Sequence, residues 1–260
     1  VDLRADLDLA RSLADTADAI SLERFRAADL HIETKADHTA VTDADRAVEH
    51  ALRERLAVER PDDTFLGEES TAEAGTTARS EGHRQWVIDP IDGTANFLRG
   101  VPVWATLIAL AVDGVPTIGV VSAPALGRRW WAGTGLGAHS DEGPLRVSGI
   151  ADLADASVSY NSLQQWDDDG RLDALLRLSR SVWRTRAYGD MWSYMMVAEG
   201  VIDVAGEPDL KPWDMAALVP IVQEAGGRFT SLDGEPGPWH GSALATNGPL
   251  HEAVVRALRG

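Results

Sequence analysis

Asp89 and Asp92 stand three positions apart in the segment Trp86-Val87-Ile88-Asp89-Pro90-Ile91-Asp92-Gly93-Thr94. Two carboxylates held that close repel each other unless a cation lies between them. Mg²⁺ prefers carboxylates, carbonyls and water at octahedral geometry, so a Mg²⁺ site is the chemistry this spacing suggests. The alternative is a plain β-turn, in which Asp-Gly is common. More acids stand elsewhere, at Asp43-Ala44-Asp45, Gly67-Glu68-Glu69-Ser70 and Pro212-Trp213-Asp214.

These acids need elements to carry them. The apolar run Trp86 to Ile88 reads as a buried strand, and Pro90, which cannot donate to a ladder, is expected to end it. Leu3, Leu7, Ala10, Ala14 and Ala17 describe an amphipathic first helix ending near Phe25. Thr42 opens a second helix with the stripe Ala44, Val48, Ala51, Leu52 and Leu56. Thr42 to Asp45 has the form of a capping box, with Asp in place of the usual Glu, so Asp45 has a purely structural reading as a cap. Residues 71–82 read as a surface loop. Trp104 to Val112, a turn at Asp113-Gly114, Val115 to Ala123 and Trp130-Trp131-Ala132 suggest an antiparallel meander. Beyond the glycine-rich stretch 133–144 the pattern alternates. Strands are expected at 157–160, 201–205, 228–232 and 242–246. Helices are expected at 168–181 (Leu172, Leu175, Leu176 and Ser179 inward), 191–199, 213–225 with a kink at Pro220, and 249–258. The boundary near residue 143 divides a metal-binding half, 1–143, from a second half, 144–260, with the site between them. The pattern fits an α/β or α+β layered sandwich.

Arg and Lys number 24 against 41 Asp and Glu, a formal charge of −17. Nucleic acid and anionic lipid both require a cationic face and are not expected partners. Cys is absent, no segment has the roughly 20 apolar residues of a membrane span, and the N-terminal residues lack a signal-peptide core. A soluble cytoplasmic protein is expected. The histidines show no ligand spacing; His31, His38 and His50 are expected at the surface and a zinc site is not.

The set Glu68, Asp89, Ile91, Asp92, Thr94 and Trp213-Asp214 resembles the inositol monophosphatase family of Mg²⁺-dependent, lithium-sensitive phosphatases, in order and over nearly the whole chain. Lys35, the stretch Val41 to Ala47, Trp130-Trp131 and Arg186 to Asp190 are most similar to its bacterial histidinol-phosphate phosphatase branch, which serves histidine biosynthesis. The resemblance implies an αβαβα sandwich, a homodimer, a small phosphorylated metabolite as substrate and two or three Mg²⁺. It assigns Glu68, Asp89 and the Ile91 carbonyl to a first ion, Asp89, Asp92 and Asp214 to a second, and Glu68 with waters beside Asp45 to a third. The resemblance makes Asp45 a second-metal ligand and a catalytic residue beside Glu68 and Thr94, a role that can share the helix N-terminus with the cap. It also places Glu207 on a substrate hydroxyl.

Such ions neutralise the anionic ester, lower the pKa of water and stabilise the departing alkoxide. Thr94 suits the attacking water, accepting its proton while donating onward to a carboxylate, with Glu68 as the expected helper. Gly93 and Thr94 offer backbone N–H groups to the phosphate, beside Asp92. No covalent phospho-enzyme is expected: there is no Cys, and no Ser lies in a nucleophile elbow. Asp190 reads either as a substrate contact or as a helix N-cap. Histidinol phosphate is the expected substrate, with inositol 1-phosphate or a sugar phosphate as the alternative. A non-catalytic sensor of Mg²⁺ or of a phosphorylated metabolite is a further, less economical reading of the same acids. Ala95 and Ala40 depart from residues common in the family, and neither is a proposed ligand.

Overall fold

Alternation along Arg84–Asp92 sends Trp86 and Ile88 to one side of a sheet and Val87 to the other, and all three are buried, so both faces must be covered. The computed structural model describes residues 2–34, 40–74 and 83–259. Lys35, His38 and residues 75–82 lie outside them; helix Glu68–Ala74 takes up the start of the expected loop.

Seven strands run in the order Thr64–Gly67, Arg84–Asp92, Ala105–Val112, Val115–Ala123, Arg128–Gly133, Gly137–Ser140 and Gly143–Pro144. The first pair is parallel and every later pair antiparallel, which is the expected meander extended at both edges, by Thr64–Gly67 on one side and Gly137–Ser140 and Gly143–Pro144 on the other. Helices Leu3–Arg24 and Asp43–Glu59 cover one face, where Leu9, Leu13, Ala17, Val48 and Leu52 meet Trp86, Ile88 and Ile108. Helices Asp190–Ala198 and Leu218–Glu224 cover the other, where Met195, Ile221 and Val222 meet Val87, Leu107 and Val121.

Those two helices also rest on a second sheet, ordered Arg184–Arg186, Ser157–Ser159, Val204–Pro208, Ser242–Thr246 and Arg228–Thr230. Helices Leu172–Ser181 and His251–Arg259 close its far face through Leu175, Leu178, Val254 and Leu258. The layers are therefore αβαβα. Among the described residues no helix is long and apolar enough to cross a membrane.

Several expectations shift. Pro90 does not end its strand: pairing continues to Asp92 through a register shift between Asp89 and Asp92, and the Pro90 carbonyl accepts the Thr106 hydroxyl at 2.8 Å. The proline is tolerated because the bulge already removes that position from the ladder. The helix expected over 168–181 begins later, as Leu172–Ser181, behind a separate short helix Leu163–Asp168; Leu172 and Leu175 face inward as expected, with Ala174 and Leu178, while Leu176 is exposed. The helix expected over 213–225 breaks into Pro212–Met215 and Leu218–Glu224. Pro220 has no N–H for the Ala216 carbonyl, so the break falls a turn before the proline. The strand expected at 201–205 lies at Val204–Pro208.

Candidate active site

In a regular strand residues three apart face opposite sides. The bulge in Arg84–Asp92 undoes that parity and turns Asp89 and Asp92 together. Beneath the turn Ile91 packs with Ala44, Phe97 and Trp104, and Phe25, Phe97 and Trp104 meet with ring centroids 4.9–5.4 Å apart. This wedge fixes the corner from below. From across the molecule, short helix Pro212–Met215 delivers Asp214, whose Oδ2 accepts the Lys211 N–H at 2.7 Å. Asp89, Asp92 and Asp214 each bring a carboxylate oxygen within 4.8 Å of the others.

Among the described residues Lys211 opposes this charge only at Asp214, and less than burial raises it. Burial first, then the charges of Glu68 and Asp92, push the Asp89 carboxyl well above its ordinary range. Burial and Asp190 do the same to Asp92, opposed by the Met191 N–H. Asp214 is pushed up to about 7, again mainly by burial. Asp89 Oδ1 is buried without a hydrogen-bond partner. An unpartnered buried carboxylate oxygen is costly, and a cation is the partner that satisfies it. The donors are all hard oxygens, so the residues present fit a hard divalent cation.

Glu68 opens helix Glu68–Ala74, outside the triad, and its charge bears on Asp89 and Asp214. The Ile91 carbonyl accepts the Thr94 hydroxyl at 3.0 Å, which leaves it a second lone pair. Thr94 Oγ1 also lies 3.3 Å from Asp45 Oδ1. The carboxylate facing Thr94 is thus Asp45, where sequence reasoning expected Glu68 to help. Asp45 Oδ2 meanwhile accepts the Thr42 N–H at 2.8 Å and completes the capping box. One carboxylate serves the helix with one oxygen and Thr94 with the other.

Gly93 has φ +81°, and a Cβ there would meet the Val103 carbonyl at 3.0 Å and Asp190 Cγ at 3.4 Å. Only glycine suits that backbone without strain. Asp190 caps no helix: Gly189 flanks Asp190–Ala198 without a side-chain cap. Its Oδ2 instead accepts Asn96 Nδ2 at 2.6 Å, and burial pushes its carboxyl up to about 6. Glu207, in strand Val204–Pro208, is pushed up to about 8 by burial and then by Asp190 and Asp214, against a hydrogen bond from Asn161. Trp213 packs into the central core beside Asp214.

A profile of the inositol monophosphatase family matches residues 2–260. The chain belongs to the inositol monophosphatase family. It is 55% identical to a histidinol-phosphatase of Streptomyces coelicolor over 99% of this chain and 98% of that one. It is 54% identical to a histidinol-phosphatase of Mycobacterium tuberculosis over 97% of each. Among solved structures, an inositol monophosphatase from Zymomonas mobilis superposes with a TM-score of 0.87 at 33% identity over 100% of both chains.

Sequence reasoning passed over three side chains that this member of the inositol monophosphatase family places at the site. Asn96 holds Asp190, and Asn161 holds Glu207. The buried Tyr194 hydroxyl has no partner, and the charges of Glu207, Asp92, Asp214 and Asp190 oppose its ionisation. Tyr194 lies four residues after Asp190, a helical repeat that carried the signal. Asn96, two residues after Thr94, carried none beyond proximity. His31 and His50 are exposed, and among the described residues no histidine joins the acidic triad.

Proposed function

We propose that this chain hydrolyses L-histidinol phosphate to L-histidinol and phosphate. The observation that carries the reading is the convergence of buried Asp89 with half-buried Asp92 and Asp214 around an unpartnered carboxylate oxygen. The two histidinol-phosphatases that match nearly end to end support the choice of ester. The site would lie between the halves 1–143 and 144–260.

Asp89, Asp92 and Asp214, with Glu68 and the Ile91 carbonyl, would hold two or three Mg²⁺. When bound, these ions supply charge neutralisation at the phosphate and a lowered pKa for water. Thr94 Oγ1 holds the attacking water through a lone pair while its own proton points to Asp45 or the Ile91 carbonyl, and Asp45 is the sink for the proton released. Gly93 and Thr94 turn backbone N–H groups toward the phosphate. Asp190 and Glu207 face the rest of the substrate. Burial raises both acids, and the ammonium and imidazole of histidinol would offer them donors.

Lithium sensitivity and a homodimer rest on family resemblance alone; a cytoplasmic location rests on the cysteine-free composition. Phosphate release from histidinol phosphate, inositol 1-phosphate and a sugar phosphate, each with Mg²⁺ and with chelator, tests the reading. Hydrolysis of histidinol phosphate that persists in chelator, or a preference for another ester, refutes it.

A further inference from the structure

Glu49 lies one turn beyond Asp45 on helix Asp43–Glu59 and is 4% exposed. Its carboxylate accepts two backbone N–H groups, that of Glu69 at 2.7 Å through Oε2 and that of Ser70 at 2.8 Å through Oε1. Both belong to the first turn of helix Glu68–Ala74, where backbone donors have no partner inside the helix. An ionised acceptor makes these the stronger, charge-assisted kind of hydrogen bond.

The clamp is close-packed. A Cβ on Gly67 would lie 2.5 Å from Glu49 Cδ and Oε2, and 2.6 Å from the Phe65 ring. Any side chain at 67 would drive Glu49 off the two amides. Glu68 is therefore set between a position open only to glycine and two amides gripped by a buried carboxylate.

We infer that Glu49 is a positioning residue for Glu68, aiming the Glu68 carboxylate at the ions beside Asp89 and Asp214 while touching neither ion nor substrate. The inference rests on the proposed role of Glu68 as a metal ligand. Its consequence is architectural. Helix Asp43–Glu59 would set two sides of the site at once, the Thr94 side through Asp45 and the Glu68 side through Glu49. A helix that only needed a cap for stability would show no link between Glu49 and metal affinity.

Calorimetric titration of Mg²⁺ into the metal-stripped chain, on wild type, Glu49→Gln, Glu68→Gln and the double variant, tests this, with thermal unfolding of each. Glu49→Gln keeps one acceptor and turns an NH₂ toward the other amide. It should weaken Mg²⁺ binding about 10-fold or more, the usual effect of removing a residue that orients a metal ligand. In the Glu68→Gln background that loss should vanish, since Glu49 then has no ligand to aim. A lowered Tm with unchanged Mg²⁺ affinity overturns the inference, as does an additive loss in the double variant. Unchanged Mg²⁺ affinity in Glu68→Gln overturns the ligand role itself, a distinct failure. Hydrogen exchange on wild type covers the case in which Glu49→Gln does not fold. The Glu69 and Ser70 amides should be protected, and more so with Mg²⁺, because coupling is reciprocal; exchange indifferent to Mg²⁺ overturns the inference.

Discussion

The Asp92 carboxylate accepts the backbone N–H of Met191 at 2.8 Å across 99 positions of sequence. The end of a meander strand is thereby fastened to the first turn of helix Asp190–Ala198, in the second half of the chain. An acid proposed as a metal ligand also joins the elements that carry Asp190 and Tyr194. Asp92→Asn keeps an oxygen for Met191 and removes one charge from the triad. Phosphate release should fall by at least three orders of magnitude in kcat/KM, about 4 kcal/mol. The Tm of the metal-free protein should not fall, because a buried like-charge repulsion is relieved. Near-normal turnover would remove Asp92 from the metal site.

Thr94 should affect rate rather than binding. Its hydroxyl stands between the Ile91 carbonyl and Asp45, so Thr94→Val removes the link from water to proton acceptor while keeping the shape. Positioned general-base chemistry is worth about 10²- to 10⁴-fold, and kcat should drop within that range with KM little changed. Asp45→Asn should reproduce most of the drop and lower the Tm as well, since Asp45 also completes the capping box. A change confined to KM in Thr94→Val would mean that the hydroxyl only grips phosphate.

Much of this was legible in the residues. The Asp89-to-Thr94 block, the meander and the Thr42 cap follow from local chemistry, and the structure shows each in place. What stayed hidden depends on distant contacts. Pro90 is misleading alone, because the bulge that accommodates it is set by pairing with Ala105–Val112. The sequence points to Glu68 as the helper of Thr94, because Asp45, 49 positions away, is brought to the hydroxyl only by the fold. Asn96 and Asn161 act through Asp190 and Glu207, far away in sequence, and no periodicity encodes such pairs. The cap reading of Asp190 failed for the same reason: its partner is Asn96.

Acid sensitivity of the fold should trace in part to His251. This side chain is 1% exposed and lies between the Thr246 hydroxyl at 3.0 Å and the Thr230 hydroxyl at 3.4 Å. Burial and then the Arg228 charge hold its pKa down to about 4, from an ordinary 6.5. Between those values the unfolded chain binds the extra proton, so this residue stabilises the fold fully above about pH 6.5 and loses that contribution as pH falls toward 4. The Tm of wild type relative to His251→Asn, which cannot titrate, should therefore decline from pH 7 to pH 4. A difference constant with pH would show that His251 does not titrate on unfolding in this window.

Asp190 should set substrate preference. It sits against Gly93, held by Asn96 at 2.6 Å, and Glu207 lies near enough to be raised by its charge. Inositol 1-phosphate offers neutral hydroxyls there, whereas histidinol phosphate offers an ammonium and an imidazole. A charge-assisted hydrogen bond contributes roughly 1.5–3 kcal/mol, on the order of 10- to 100-fold in kcat/KM. Asp190→Asn should lower kcat/KM for histidinol phosphate by that factor and leave the slower inositol ester nearly unchanged. Asn96→Ala, which frees the Asp190 carboxylate without removing it, should produce a smaller loss in the same direction. Salt should change the preference little, since screening acts mainly on charges separated by more than about 8–10 Å. Steady-state kinetics of both esters on the three proteins decides the matter. Equal losses on both esters in Asp190→Asn would make Asp190 a support for the Asp92 turn rather than a reader of the substrate.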